Sequence, residues 1–188
     1  MAVIEYRPSA PRTTAERPIR IFFNDAPVAV SQGSPYDLAE LAVGYLLSEG
    51  LIADRERFVE VTADPEAAAV YVASGERAAE GYVPLHRVTS AGCARSALLA
   101  DGGGVPSPRR LETAARFDAD ALLAQMDELC ERSPRRNTGE CVHGCGLGDG
   151  RTGGLLLVRE DIGRHNAMDK LIGQAWLDRV PLDDKALF

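Results

Sequence analysis

The chain has 188 residues, of which 45% are hydrophobic and 26% charged, enough apolar content to bury a core in one domain or two small ones. A formal net charge of −7 and a pI near 5.0 exclude a general nucleic-acid binder, because phosphate binding rests on clustered Lys and Arg. No run approaches the roughly eighteen apolar residues of a membrane span, and residues 1–18 carry Glu5 and Glu16 without the apolar core of a signal peptide. A cytoplasmic location is therefore expected, with Cys93, Cys130, Cys141 and Cys145 as reduced thiols rather than a disulfide framework.

Taken in order, residues 1–17 place Pro8 and Pro11 among small and charged residues and read as a mobile leader. Apolar stretches at 19–23 and 28–30 flank Asn24-Asp25-Ala26-Pro27, the pattern of a β-hairpin. Ser34-Pro35 then reads as a helix start, with Ser34 as N-cap; Leu38, Leu41, Ala42, Tyr45 and Leu46 form the buried face, and Gly50 stops the helix. Residues 58–62 and 68–73 are candidate strands. This part, 18–105, is expected to be a small α+β domain ending in a cysteine loop. The glycines and prolines of 101–108 mark a linker, and the boundary is placed near 105.

Beyond it, Asp118 is the expected cap of a helix whose stripe is Leu122, Leu123, Met126, Leu129 and Cys130, broken at 133–138. Residues 141–147 and 155–158 read as strands joined by the Gly-rich turn 148–154, and 155–158, continuously apolar, as a strand buried on both faces. The helix 163–178 follows, with Met168, Leu171, Ile172, Ala175 and Trp176 three and four apart, and 185–188 opens a last strand. Residues 106–188 are thus expected to form a second unit of strands and helices. A sheet ending at Phe188 would expose an edge, which favours pairing with another chain such as a homodimer partner, instability, or a truncated product.

Three groups of residues carry chemistry. Cys93 follows Gly92 and lies between Arg87 and Arg95, a setting that favours a reactive thiolate, although an ordinary small residue at a loop edge fits as well. Cys141, His143 and Cys145 alternate, so a strand would put them on one face, with Cys130 as a fourth zinc ligand; the spacing matches no common zinc pattern. The turn 159–166 reads Arg-Glu-Asp-Ile-Gly-Arg-His-Asn at a helix N-terminus, where free N–H groups and the dipole favour an anion. The plainer alternative makes Asp161 a cap, Gly163 a turn residue and the charges solvated. His165 and Asp169 lie one helical turn apart, so the carboxylate can orient the imidazole or form a surface pair worth a few tenths of a kcal/mol.

The stretch Arg-Glu-Asp-Ile-Gly-Arg-His-Asn-Ala-Met-Asp-Lys-Leu-Ile-Gly at 159–173 closely resembles the signature of the FdhD family, the formate dehydrogenase accessory sulfurtransferases. Leu-Leu-Ser-Glu-Gly-Leu-Ile at 46–52 resembles its early L-S-E-G-I-I helix end, 89–96 sits where its cysteine loop belongs, and Thr138-Gly139 with His143 resembles its T-G-x-x-H with one residue more. The resemblance implies a small N-terminal α+β domain followed by a cytidine-deaminase-like α/β domain whose C-terminal part this chain lacks. It implies a sulfurtransferase that takes sulfur from a cysteine desulfurase as a Cys93 persulfide. The acceptor is the molybdenum bis-molybdopterin guanine dinucleotide of a formate dehydrogenase, held as bound substrate, with no permanent cofactor and no metal ligands.

By the same resemblance His143, Arg159, Asp161, Gly163, Arg164, His165 and Asn166 line the cofactor pocket. The family often carries a C-x-x-C loop, of which one thiol is present: either Cys93-Ala-Arg-Ser96, the preferred register, or Ser90-Ala-Gly-Cys93. The alternatives are a non-catalytic module that binds cofactor or client, and a small zinc protein.

Overall fold

The computed structural model describes residues 14–76, 88–89, 116–150 and 153–188. Two strands open it, β1 (Arg17–Phe23) and β2 (Ala26–Gly33), joined by Asn24 and Asp25 at φ 47° and 66°. Two positive φ values in a two-residue loop give the turn whose twist suits a hairpin, and Asn and Asp tolerate them. The turn is thus two residues, with Ala26 and Pro27 already in the strand. Strands β3 (Phe58–Asp64) and β4 (Ala69–Ser74) pair antiparallel, β4 lies parallel to β1, and the short β5 (Val88–Thr89) lies parallel to β2. The sheet order is β3-β4-β1-β2-β5.

Alternation along β1 sends Ile19, Ile21 and Phe23 inward, where they meet Leu38, Leu41, Ala42, Val43 and Leu46 of α1 (Leu38–Ser48). The helix closes as expected at Gly50, with φ 70°. Leu51 N donates to Leu46 O at 2.8 Å and Gly50 N to Leu47 O at 3.1 Å, the paired bonds of a Schellman ending. Its start differs from expectation. Asp37, not Ser34, holds the N-cap position, in a left-handed conformation without a side-chain cap bond. Ser34 is used elsewhere.

The second sheet, β7-β6-β8, is antiparallel and built from β6 (His143–Asp149), β7 (Leu155–Asp161) and β8 (Lys185–Leu187). Its helices are α2 (Ala119–Glu131), capped by Asp118 through the amides of Asp120 and Ala121, the short α3 (Pro134–Asn137) and α4 (Arg164–Leu177). Cys145 and Leu147 of β6 pack with Ala167, Leu171 and Ala175 of α4. The alternate residues Gly144 and Gly146 lie against Leu129 of α2. The two helices therefore cover opposite faces of this sheet.

Three readings are corrected here. Of the predicted α2 stripe, Leu129 is buried and Leu122 half-buried, while Leu123, Met126 and Cys130 face outward; the inward position between them is Gln125, whose Nε2 donates to Asp149 O. Strand β7 is an edge strand, and of its apolar run 155–158 only Leu155 is buried. Leu147 pairs with Leu157 and Gly148 with Leu155, so Leu156 is the extra residue of a bulge and stays 40% exposed. Met168 also points outward.

The halves meet through α1 and α4. A Cβ at Gly44 would lie 1.8 Å from Asp169 O, and one at Gly173 would lie 1.9 Å from Glu40 O. The helices thus cross with backbones touching, and the layers run first sheet, α1, α4, second sheet, α2. No helix among the described residues is long and apolar enough to cross a membrane. Because the obstructing atom is backbone, Gly44→Ala is expected to destabilise the fold by about 3 kcal/mol or more, seen as a lower denaturation midpoint in urea; an unchanged midpoint would contradict the backbone contact.

Candidate functional site

The last three residues of β7 each hold a different element. Beyond the bulge, alternation turns Arg159 and Asp161 toward α1 and α4, and Glu160 toward α3. The Arg159 guanidinium lies 3.6 Å from Asp37 Oδ2 and 3.5 Å from Glu40 Oε1, at the start of α1. Buried Glu160 accepts from the amides of Arg135 and Arg136, both at 3.1 Å, so a carboxylate sits at the N-terminus of α3.

Asp161 is fully buried and saturated. Its Oδ2 takes Lys170 Nζ at 2.7 Å and Ser34 N at 3.0 Å; its Oδ1 takes Gly163 N at 2.8 Å and Asn166 Nδ2 at 3.2 Å. Lys170 is equally buried and also donates to Ser34 O at 3.2 Å and Glu160 O at 3.4 Å. Its ammonium stands 3.9 Å from the centre of the Tyr36 ring, and Arg135 stands 3.6 Å from the same centre. Burial pulls the Lys170 pKa down while the Asp161 carboxylate pushes it up. Burial likewise raises the Tyr36 phenol.

Ser34 completes the joint: its amide serves Asp161, its carbonyl Lys170, and its hydroxyl accepts from Ile162 N at 3.0 Å. This use in three directions, 127 residues along the chain from Asp161, is why it does not cap α1.

At the start of α4, Gly163 is the N-cap without a side-chain bond. Arg164 is exposed, His165 half-buried, and Asn166 only 7% exposed. His143 is exposed and sits across the ladder from Asp161. The structure therefore brings His143, Arg164 and His165 to one end of β7 and α4. It withdraws Asp161 and Asn166 into the joint, leaving the Asp161 side chain closed to a ligand. Asp169, read as a partner for His165, accepts from Ser48 Oγ at 3.0 Å and so ties α4 to α1.

Cys93, with Arg87, Ser90, Arg95 and Ser96, lies outside the described residues. The backbone leading toward it is described as far as Thr89, which pairs with Ser31 in β2. Cys141 precedes β6, and it and Cys130 are exposed, whereas Cys145 is buried with its thiol donating to Phe188 O at 2.9 Å. Among the described residues no group of three or more His, Cys, Asp or Glu side chains could hold a metal ion, so the zinc grouping of Cys130, Cys141, His143 and Cys145 is not formed.

Sequence reasoning passed over Glu160, Lys170 and Ser31 and read Ser34 only as a helix cap. Lys170 carried a usable signal, because it falls three residues after Ala167 and one before Leu171, on the helix face that must be covered, and a buried lysine needs an anion.

Residues 14–188 match the FdhD/NarQ family. The chain belongs to that family. The sulfur carrier protein FdhD of Xanthomonas campestris pv. campestris is 35% identical, the match covering 88% of this chain and 60% of that one. The protein of the same description from Mycobacterium bovis is 34% identical over 94% of this chain and 70% of its own. A solved structure described as a formate dehydrogenase accessory protein from Desulfotalea psychrophila shares the mixed α+β fold, with a TM-score of 0.66 and 27% identity over 92% of this chain and 63% of that chain. The chain thus spans about three fifths of the length of the Xanthomonas relatives.

Two outcomes follow from the joint and the thiols. Lys170→Met leaves the Asp161 charge buried without its cation and is expected to lower stability by about 3–5 kcal/mol, while Asp161→Asn with Lys170→Met recovers most of it. Urea denaturation of the three proteins checks this, and a single variant as stable as wild type would refute it. Burial holds the Cys145 thiol up at about 11, above its ordinary 9.0. The folded state then keeps that proton more tightly than the unfolded one, so this contribution to stability is full below about pH 9 and is lost as pH climbs through 11. Iodoacetamide at pH 8 should label Cys130 and Cys141 well before Cys145 by peptide mass mapping.

Proposed function

We propose that this chain carries sulfur as a Cys93 persulfide, taking it from a cysteine desulfurase and delivering it to the molybdenum bis-molybdopterin guanine dinucleotide of a formate dehydrogenase. The observation that carries the reading is a continuous hydrogen-bonded connection. Thr89 pairs with Ser31, and Ser31 Oγ donates to Asn166 Oδ1 in the first turn of α4, at 2.9 Å. Covalent geometry limits a residue four positions beyond Thr89 to about 14 Å from it. Cys93, the one cysteine of the 77–115 stretch, follows Thr89 by four residues in the sequence. The relatives described as sulfur carriers, and the neighbour described as a formate dehydrogenase accessory protein, support the same direction.

The chemistry is persulfide exchange. The Cys93 thiolate attacks the outer sulfur of a donor persulfide, R–S–SH; a new S–S bond forms at Cys93, the donor S–S bond breaks, and R–SH leaves with the proton. Arg87 and Arg95 favour the thiolate electrostatically. Handing the sulfur on as sulfide takes two electrons, which a thiol reductant supplies: Cys93–S–SH and two R–SH yield Cys93–SH, one sulfide and R–S–S–R. Arg164, His165 and His143, beside a helix N-terminus, suit the phosphate groups of the acceptor cofactor. Arg159, Asp161, Gly163 and Asn166 shape that turn from within.

Intact-mass spectrometry after incubation with a cysteine desulfurase and cysteine tests the reading. Wild type should gain one sulfur and Cys93→Ala none. A folded wild type that gains nothing overturns it and favours a module that binds cofactor or client without moving sulfur, a reading consistent with the single thiol of the 89–96 loop.

A further inference from the structure

The outward face of α2 carries an apolar seam. Leu123 is 64% exposed, Met126 45%, and Cys130 is exposed as well. One exposed Leu on a surface is ordinary, but these three fall three and four apart, so they line up along the middle of a 13-residue helix. That is the spacing with which one helix receives another. The two flanks of the seam differ. On one side Leu122 and Leu129 turn toward β6, Leu122 half-buried and Leu129 buried against Gly144 and Gly146. On the other side stand Asp120, Asp127 and Glu131, all exposed and without an ion pair among the described residues.

This acidic row works against the helix that bears it. Asp120 lies in the first turn, where a carboxylate suits the dipole, but Glu131 is the last helical residue and lies four positions from Asp127, so the dipole and the like charge both disfavour it. The other acids of α2 have partners: Asp118 caps the helix, and Glu128 binds Arg132 and the amide of Leu155. Arg136 closes the far end of the seam, its Nη1 donating to Cys130 Sγ at 3.4 Å.

The geometry points to this face of α2 as a docking surface for an amphipathic helix of a partner protein, one with apolar residues three and four apart and Lys or Arg beside them. Its apolar side chains pack along Leu123, Met126 and Cys130, and its cations meet Asp127 and Glu131, which relieves the unfavourable charge of the row. The inference stands apart from the sulfur-carrier reading, because no residue of the candidate site takes part in it.

Two fluorescein-labelled helical peptides test it on the full chain by fluorescence anisotropy. Both carry Leu three and four apart, one flanked by Lys and the other by Glu. The Lys-flanked peptide should bind wild type about tenfold more tightly than the Glu-flanked one. Leu123→Ser with Met126→Ser, both at exposed positions, should weaken that binding by about tenfold or more, and Asp127→Lys with Glu131→Lys should reverse the preference between the peptides. Circular dichroism establishes that each variant is folded; should the serine pair not fold, the charge reversal carries the test alone. No binding of the Lys-flanked peptide, equal binding of both peptides, or a preference that survives Asp127→Lys with Glu131→Lys overturns the inference. So does binding indifferent to the serine pair. A wild type that light scattering shows as a dimer, and the serine pair as a monomer, also overturns it, because a second copy then covers the face.

Discussion

The structure depends on the buried ion pair between Asp161 and Lys170. Two opposite charges withdrawn from water are tolerated only when their remaining hydrogen-bonding capacity is filled, and here both carboxylate oxygens have two donors and the ammonium has three oxygens and an aromatic face. The groups that fill it come from the exit of β2, the end of β7 and the first turns of α4. Neutralising either charge therefore disturbs the place where the first sheet, the second sheet and the candidate site join. Neighbouring contacts repeat the arrangement, with Arg159 reaching α1 and Glu160 reaching α3.

The seam between α1 and α4 is the second constraint. Gly44 and Gly173 let the two backbones touch, and Ser48 and Asp169 lock the crossing with a hydrogen bond. Such a contact admits little sliding, because a shift of one residue would drive a Cβ into a carbonyl. The first turn of α4 is thereby held rigidly to the first sheet, and a site that spans both halves keeps its geometry without a flexible hinge.

A run of charged residues in a signature invites a ligand-binding reading for all of them, and the structure divides them by burial. Arg164, exposed, and His143, across the ladder, face outward. Asp161, Asn166 and Lys170 face inward and build the support. Cysteines divide in the same way: Cys145 packs in the core between β6 and α4, whereas Cys141 precedes β6 and is exposed.

Local physics determined much of this protein from sequence. The hairpin at Asn24-Asp25, the Gly50 ending of α1, the Asp118 cap of α2 and the strand, turn and helix of 155–177 are each decided by residues within one turn of each other, so they were legible without a fold. Family membership was legible too, because the signature is contiguous. Only the tertiary structure decided the rest. Ser34 became a joint rather than a cap because its partners lie on β7 and α4; Leu123, Met126 and Cys130 turned outward because the space above β6 is shaped for Gln125 and Leu129; Leu156 was expelled by a bulge that no local pattern marks. These outcomes depend on contacts between residues far apart in the chain, and periodicity within one segment carries no information about what the opposite segment will present.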